Sequence, residues 1–439
     1  MSPSVDLGLL DPATPYAAEA TGDHAYAAAM VDVELALVRA LAAAGAAPAA
    51  VLDEGWAADG VDVAAVAAGA RASGNPVIPL LAQLRAAAPP AVAEVLHLGA
   101  TSQDVLDSAT MLVAARTRQR IDARLTPVLA GLASLADRHR TTAAVGRTLG
   151  QQAAPTVFGL RVAVLLEGIR RAAQHLDALA LPAQLGGSVG TLAVLTDLLG
   201  ADRADTVRRR FADELGLAFR PTVWHVERGP IAELGAALAV LIGALGRLGL
   251  EVAQGTRTEL GELDLGLGTG EGGSSAMPQK HNPVPAILLV AAARRAPGLA
   301  ATLLGAQLAL DDRPPGDWHA EWQPLRELLR LALESAALAA EVVASLEPDP
   351  LRLAGHLDDG HGAVHAERAQ WALVPHLGRA RAQELVRVAL TADDFVPALL
   401  ASLTGEPEAA DRVRAVTDPR NPVGLADRMI AAAAAGDAT

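Results

Sequence analysis

The stretch GLGTGEGGSSAMPQKHNP, Gly266 to Pro283, decides how the rest of the chain is interpreted. Five glycines fall within its first eight residues, and two serines, a lysine, a histidine and an asparagine follow. Alanine- and leucine-rich segments that look helical flank it on both sides. A glycine-rich connection between helices is usually a flexible linker. A linker does not require a compact group of serine, lysine and asparagine, however, so the stretch is either a linker or a site.

The segment Gly268 to Gly273 also matches the dinucleotide-binding pattern GxGxxG. That pattern is informative only where it follows a strand and opens a helix. The preceding residues, TELGELDLGL, are acidic and poor in β-branched side chains. We therefore expect no strand there, and we reject a nucleotide-binding interpretation.

Composition limits the class of protein. Of the 439 residues, 51% are apolar and only 3% are aromatic, which favours closely packed helices over sheets. A net charge of −14 without a basic stripe argues against a nucleic-acid partner. The absence of cysteine excludes disulfides, thiol nucleophiles and cysteine-bound metals. No signal peptide is recognisable, and the most apolar segment, Leu234 to Gly246, is too short to span a bilayer. We expect a cytoplasmic protein without a membrane partner.

Helical periodicity divides the chain into three predicted domains, at 1–96, 97–346 and 347–439. In the first, apolar residues recur at helical spacing from Asp23 to Gly45. The middle domain contains five long segments that are predicted as helices, at 103–140, 155–180, 229–257, 283–309 and 324–346. Pro127 predicts a kink in the first of these. The predicted fold class is all-α, with the long helices packed as a central bundle.

Four histidines of the last domain, His356, His361, His365 and His376, are possible metal ligands. Only His361 and His365 have the i, i+4 spacing that a helix needs to present two ligands on one face. Glycines on both sides of His361 make that helix doubtful. We expect these histidines on the surface or in turns, and we predict no metal.

Four polar stretches lie at the ends of the predicted long helices, where side chains of different helices can converge. HLGATSQD, His97 to Asp104, has the composition of a helix N-cap, although its neutral donors and free helix N–H groups also suit an anion. LGGSVGT, Leu185 to Thr191, predicts a tight turn without chemistry. The other two are GRTLGQQAAPTVFG, Gly146 to Gly159, and DDRPPGDWHAEWQPLR, Asp311 to Arg326. The last is either an amphipathic lead-in to the helix expected at 324 or part of a site.

The residues GSSAMPQKHNP, from Gly273 to Pro283, resemble the signature of the fumarase/aspartase superfamily. This superfamily includes adenylosuccinate lyase, argininosuccinate lyase and the bacterial carboxymuconate cycloisomerases. The other stretches resemble it in the same order, so the resemblance covers about residues 95–330. The region around Trp318 and Trp322 is most similar to the cycloisomerases. The resemblance implies three all-helical domains, a homotetramer whose sites draw on several subunits, and no metal or organic cofactor.

The resemblance also implies roles for individual residues. By position in the motif, Ser274 is the base that removes a proton from carbon, while Lys280 and Asn282 stabilise the charge that results. The implied substrate-binding residues are His97, Thr101, Ser102, Gln103, Thr148, Gln151, Ser275, Met277, Arg313 and Arg326. His225, Trp318 and His319 are weaker candidates. A neutral serine is a poor base, so its surroundings must activate it, and the glycines would let the loop close as a lid.

Leu149 departs from the family pattern, because adenylosuccinate and argininosuccinate lyases have a histidine there, on the acid side of the site. Release of a nitrogen group needs a proton donor. A carboxylate, whose pKa is about 4, leaves without protonation at neutral pH. Leucine at this position therefore favours lactone chemistry. The resemblance then implies reversible lactonisation of a tricarboxylate, 3-carboxy-cis,cis-muconate, as in protocatechuate degradation.

Two alternatives stay open. An enzyme like adenylosuccinate lyase would release fumarate from a succinyl-nucleotide and would need a replacement acid, such as His225. A non-catalytic structural relative would account for the missing histidine. The intact Ser274, Lys280 and Asn282 argue against that second alternative.

Overall fold

The computed structural model describes residues 9–47, 60–268, 271–274, 276–277, 279–418, 421 and 423–436. The described chain is mostly helical, which confirms the predicted fold class. It forms two compact units. The first unit comprises Met1–Arg124, Ala172–Leu245 and Ala291–Leu338, and the second comprises Leu125–Arg171, Gly246–Val290 and Ala339–Thr439. The three domain boundaries stay a prediction.

The helices and strands are numbered in chain order. The first half contains α1 (Ala18–Thr21), α2 (Asp23–Ala43), α3 (Val63–Ser73), α4 (Val77–Ala87), α5 (Pro90–Val95), α6 (Ser102–Arg138), β1 (Ala143–Thr148), β2 (Gln151–Val157), α7 (Phe158–Asp177), α8 (Ala193–Leu199) and α9 (Ala201–Leu215). The second half contains α10 (Gly229–Gly255), β3 (Leu263–Leu265), α11 (Val284–Gly305), α12 (Asp317–Ser345), β4 (Leu346–Pro348), α13 (Pro350–Asp358), α14 (Ala366–Leu377), α15 (Arg379–Ala389), α16 (Phe395–Ala401), α17 (Pro407–Thr417) and α18 (Ala426–Ala435).

The five predicted long helices correspond to α6, α7, α10, α11 and α12. The helix expected at 324 begins instead at Asp317. Its buried face explains the difference, since Trp318, Glu321 and Leu325 repeat at helical spacing and are all buried. Burial of that face outweighs the lost backbone hydrogen bond at Pro324, which lies inside the helix. The helical spacing of Trp318, Glu321 and Leu325 in the sequence therefore indicated the earlier start.

The short strands were not predicted. β1 and β2 form an antiparallel hairpin, and β2 runs to Val157, so the helix that was expected to begin at 155 begins at Phe158. β3 pairs antiparallel with β4, directly upstream of the glycine-rich stretch, so the expectation of no strand there was wrong. Both sheets of the described chain are two-stranded and antiparallel. They lack the parallel βαβ unit that a dinucleotide-binding GxGxxG requires.

Each unit has its own apolar core. In the first unit the predicted stripe of α2 is buried at Met30, Val33, Leu37 and Leu41, and α9 packs against this helix. In the second unit the C-terminal helices α14 to α17 bury a cluster that includes Leu373, Phe395, Leu399 and Val413.

The histidines of the C-terminal part do not all lie on the surface. His356 and His365 are buried, which corrects the expectation from the sequence, whereas His361 is exposed. Among the described residues, no three histidine, aspartate or glutamate side chains come together to hold a metal ion.

Two helices of the described chain, α10 and α11, are long and apolar enough to cross a membrane by length and composition. The segment Leu234 to Gly246 is thus part of a longer apolar helix. In α10, 61% of the most apolar window is buried, as in the core helix of a globular unit, against 28% in α11. The exposed apolar face of α11 is therefore suited to contact another protein surface.

Glu334 on α12 is 1% exposed, and neither of its carboxylate oxygens has a hydrogen-bond partner within the described chain. Burial raises the pKa of Glu334 to about 8, and Asp11 adds to the shift. In the unfolded chain the same carboxyl ionises near its ordinary pKa of 4.5. The unfolded state therefore loses this proton first as pH rises, so the folded state becomes less stable between about pH 4.5 and pH 8.

Replacing Glu334 by glutamine should remove this pH dependence. We expect the free energy of unfolding of Glu334→Gln, relative to the parent protein, to increase by roughly 2–4 kcal/mol from pH 5 to pH 8. Thermal and urea unfolding at both pH values measure it. Glu233→Gln, at an exposed position of α10, is the control and should show no such increase. If the free energy of unfolding changes equally with pH in the parent and in Glu334→Gln, the prediction is wrong.

Candidate functional site

The glycine-rich loop of the second unit is closed by a contact between its two ends. The Asn282 backbone N–H donates to the carbonyl oxygen of Gly272 at 2.8 Å, and the Asn282 side-chain amide donates to the same oxygen at 2.9 Å. Gly272 has a φ of +65°, and a Cβ at this position would lie 2.4 Å from the Asn282 carbonyl oxygen. A larger residue than glycine would therefore open this contact.

Ser274 lies just inside this closure, and its Oγ accepts two backbone N–H groups. The donors are Met277, at 3.2 Å, and Ala276, at 3.4 Å. Such paired N–H groups stabilise negative charge on an oxygen, which is the activation that a serine base requires. Lys280 is exposed, and its backbone N–H donates to the carbonyl oxygen of Met277. Ser275 lies outside the described residues.

The hairpin β1–β2 carries Thr148, Leu149 and Gln151. Thr148 pairs with Gln151 across the strands, and Leu149 and Gly150 form the tip with φ values of +51° and +80°. Two positive φ angles are the geometry of a tight hairpin turn that matches the strand twist. A leucine in this left-handed region costs roughly 1 kcal/mol relative to glycine. The Leu149 side chain is fully exposed, at 102%.

In the first unit, Asp104 organises the N-terminus of α6. Its carboxylate accepts the N–H of Thr101, three residues earlier, at 3.0 Å, which caps the helix. It also accepts the N–H groups of Gly186 and Gly187, each at 2.9 Å, and contacts His225 Nε2 at 2.7 Å. The glycine-rich turn at 185–191 therefore has a structural task that the sequence did not reveal, since it supplies two donors to a buried carboxylate.

Three predicted site residues come together at this helix end. The Gln103 side-chain amide donates to the backbone carbonyl of His225 at 2.8 Å, and the Gln103 side-chain oxygen accepts Arg313 Nε at 3.2 Å. Arg313 also donates to the carbonyl oxygen of Ser188 at 3.1 Å. In the part of the chain that the structure describes, the hydroxyls of the half-buried Thr101 and Ser102 have no partner. Those two hydroxyls are the donors left for a ligand.

Other predicted residues use their polar atoms within the fold of the first unit. His97 has a φ of +64°, and both its backbone N–H and its Nδ1 contact the buried carboxylate of Glu34. His319 Nε2 donates to the carbonyl oxygen of Gly74. Arg326 donates to the carbonyl oxygen of Thr21 and pairs with Asp23 at 2.8 Å. Trp318 Nε1 donates to Asp107 at 3.0 Å.

A buried ion cluster close to these residues was missed from the sequence. Arg228 is 2% exposed and contacts Glu321 with Nε and Nη2, at 2.9 and 2.6 Å, and Asp107 with Nη1, at 2.8 Å. Burial alone would lower the pKa of Arg228, but the two carboxylates raise it. The sequence indicates this cluster only weakly, by Arg228 shortly after Trp224-His225 and by Glu321 between two tryptophans.

Comparison with known proteins places these features in a family. A family model described as Lyase matches residues 14–298. Nitrosuccinate lyase from Streptomyces davaonensis is 42% identical, with 98% of this chain and 95% of that protein covered. The 3-carboxy-cis,cis-muconate cycloisomerase of Bradyrhizobium diazoefficiens is 40% identical, with 82% and 81% covered.

A solved structure is similar along almost the whole chain. It is the crystal structure of 3-carboxy-cis,cis-muconate lactonizing enzyme from Pseudomonas putida, with a TM-score of 0.86 and 32% sequence identity. The similarity covers 98% of each chain.

Proposed function

The chain belongs to the lyase family of the fumarase/aspartase superfamily and is an enzyme of the cycloisomerase or lyase type, and we propose that it catalyses the reversible lactonisation of 3-carboxy-cis,cis-muconate to 4-carboxymuconolactone. The observation that carries the proposal is Leu149. It occupies the fully exposed tip of the hairpin, at the position where the family resemblance implies a histidine in adenylosuccinate and argininosuccinate lyases. A leucine cannot donate a proton, so it favours a substrate whose leaving group needs none.

The proposed chemistry balances without a cofactor. In the opening direction, the Ser274 alkoxide removes the proton from the carbon next to a carboxylate, and the electron pair is held as a doubly charged enolate-like intermediate. That pair then forms the new double bond as the ring oxygen leaves with its own electrons as a carboxylate. In the closing direction, a carboxylate oxygen adds to the double bond and the Ser274 hydroxyl returns the proton to carbon.

The charges of the described residues suit this intermediate. The N–H groups of Met277 and Ala276 stabilise the Ser274 oxygen between proton transfers. Lys280 supplies a positive charge from the same loop, and its exposed position leaves it free to meet a carboxylate. In the first unit, the unpartnered hydroxyls of Thr101 and Ser102 and the nearby Arg313 form a separate group of donors that suits a carboxylate.

A second candidate is elimination of nitrite from nitrosuccinate, which yields fumarate. The similarity to nitrosuccinate lyase favours it, since 98% of this chain is covered at 42% identity. Nitrite, like a carboxylate, is stable without protonation at neutral pH. Leu149 is therefore compatible with both reactions, whereas release of an amine would require another proton donor.

Parallel assays distinguish the candidates. The purified protein is incubated with 3-carboxy-cis,cis-muconate, nitrosuccinate and adenylosuccinate, and loss of diene absorbance, release of nitrite and release of fumarate are followed. We expect rapid loss of the diene. Turnover of nitrosuccinate alone would replace the proposal by the second candidate. Cleavage of adenylosuccinate alone would overturn the leaving-group argument, and inertness towards all three would favour a structural relative.

The variant Leu149→His tests the leaving-group argument directly. Since the departing carboxylate needs no proton, we expect the variant's kcat for lactonisation to stay within about threefold of the parent value or to fall. Steady-state kinetics in both reaction directions measure it. Leu149→Asn is the control, because it is polar and tolerates the left-handed backbone but cannot act as an acid. A gain of tenfold or more with histidine and none with asparagine would contradict the argument.

We also propose that the active form is a homotetramer, as the family resemblance implies. The helices α10 and α11 keep large apolar side chains exposed in the single chain, namely Val240, Leu250, Ile287 and Leu304. Apolar faces of this kind are usually covered by another protein surface. Light scattering coupled to size exclusion should give four times the 44.9 kDa of one chain. A monomeric mass would overturn this part of the proposal.

A further inference from the structure

Glu262, in the second unit, holds two guanidinium groups and an imidazole on one buried carboxylate. The residue is 2% exposed. Arg147 binds it with both terminal nitrogens, at 2.5 and 3.1 Å, and Arg161 binds it at 3.1 Å. His356 Nδ1 lies 2.7 Å from Oε1. Each carboxylate oxygen therefore has two partners.

The partners of Glu262 come from three different elements. Arg147 lies on β1, Arg161 on α7 and His356 on α13. The backbone of Glu262 is fixed as well, since its N–H donates to the Gly255 carbonyl and its own carbonyl accepts the N–H of Asp349. The carboxylate therefore fixes the hairpin relative to α7 and α13.

The contact with the hairpin falls at an irregular point of the strand. Gly146 pairs with Ala154 and Arg147 pairs with Gln152, so Ala153 is an extra residue in β2 and forms a bulge opposite the step from Gly146 to Arg147. A bulge bends its strand and redirects the side chains beyond it. Because Arg147 is bound at the bulge, the direction of the tip depends on where Glu262 holds that guanidinium.

The groups around Glu262 favour its ionised form. Burial would raise the pKa of the carboxyl, but hydrogen bonds from Arg147 and His356 and the charge of Arg161 lower it below its ordinary value. The carboxylate thus stays ionised and bound at neutral pH. A neutral side chain of the same shape would leave two half-buried guanidinium groups with a single acceptor between them.

We propose that Glu262 is a positioning residue, which fixes the direction of the hairpin tip that carries Thr148, Leu149 and Gln151. It does not touch the substrate. It acts through Arg147 and the bulge, and it lies only four residues before the glycine-rich loop that begins at Gly266. The catalytic consequence rests on the proposed function, whereas the mechanical consequence does not.

The absence of cysteine makes the mechanical consequence measurable, because a single introduced cysteine can be labelled alone. A nitroxide on Leu149→Cys reports the mobility of the tip by electron paramagnetic resonance. We expect Glu262→Gln to raise that mobility clearly and to leave a label on Val388→Cys, at an exposed position of α15, unchanged. Glu259→Gln is the matched control, since this exposed glutamate of the same segment pairs only loosely with Arg257, at 3.6 Å.

A second variant tests the same inference if Glu262→Gln does not fold. Arg147→Gln releases the hairpin but leaves Arg161 and His356 on Glu262, so it should fold and should also free the tip. If the tip label keeps its parent mobility in a folded Glu262→Gln or Arg147→Gln protein, the inference is wrong.

Kinetics of the unlabelled variants test the catalytic consequence separately. A small displacement of residues that contact the substrate costs about 10- to 100-fold in kcat, and Glu262→Gln should show this loss while Glu259→Gln shows none. If the tip is freed and kcat is unchanged, the hairpin is positioned by Glu262 but does not serve the reaction. If the parent protein turns over none of the substrates, the proposed function fails while the spectroscopic result still decides the positioning role.

Discussion

Ser274→Ala is expected to lower kcat for the substrate by a factor on the order of 10³ or more, because general-base catalysis by a positioned side chain contributes 10²–10⁴. The substitution removes a single oxygen. In the structure that oxygen accepts the N–H groups of Met277 and Ala276, which would favour its ionised form. Lys280, the cation of the same loop, cannot replace it as the base, because a charged lysine is only a donor.

The measurement is single-turnover and steady-state kinetics with whichever substrate the parent protein accepts. The thermal midpoint and the oligomeric mass should be unchanged, because the hydrogen bonds that the structure describes for Ser274 lie within its own loop. Ser402→Ala is the matched control, as the Ser402 hydroxyl likewise bonds to a nearby backbone atom, the Leu399 carbonyl. A Ser274→Ala protein that keeps more than a tenth of the parent rate would move the base elsewhere in the molecule.

The long helices could be predicted from the sequence because each is specified by its own periodicity. The boundaries of α6, α10 and α11 fall within a few residues of the expected ones. The hairpin could not be predicted in the same way. Its turn, Thr148 to Gln151, lacks the Asn-Gly or Asp-Gly pair that marks a two-residue turn. Its strand is held by Glu262, which is more than a hundred residues away in the chain.

The candidate site, too, could be predicted only in part from the sequence. The resemblance to the family's motifs pointed to Thr101, Ser102, Gln103 and Ser274, whose roles stay a prediction. In the structure the Ser274 Oγ accepts two backbone N–H groups, whereas Gln103 is buried and uses its side chain within the fold. Asp104 was overlooked because its partners, Gly186, Gly187 and His225, belong to stretches 82 to 121 residues away in the chain. A buried carboxylate is defined by what surrounds it, and that information is in the tertiary fold.

Arg228→Met should destabilise the folded protein more than any of the other single substitutions. Arg228 binds Asp107 and Glu321, and all three side chains are buried. Removing the arginine leaves two carboxylates in the interior without a counter-charge, and breaking a buried ion pair from one side costs about 3–5 kcal/mol. Burial already raises the pKa of Glu321 with Arg228 present. Without Arg228, the pKa of Glu321 should rise further, so the loss of stability should be smallest near pH 5 and should grow towards pH 8.

Urea unfolding at pH 5 and at pH 8 measures the free energy of unfolding that Arg228→Met loses, and how this loss changes with pH. Arg220→Met is the matched control, because Arg220 pairs with Glu227 at a similar distance, 2.7 Å, but on the surface, where such a pair is worth under about 1 kcal/mol. Removing all three charges together, as Arg228→Met with Asp107→Asn and Glu321→Gln, should recover much of the loss, since the cost lies in the unpaired carboxylates. If Arg228→Met unfolds within about 1 kcal/mol of Arg220→Met, with no dependence on pH, then water or a rearranged side chain neutralises the carboxylates. The cluster would then be dispensable for the stability of the first unit.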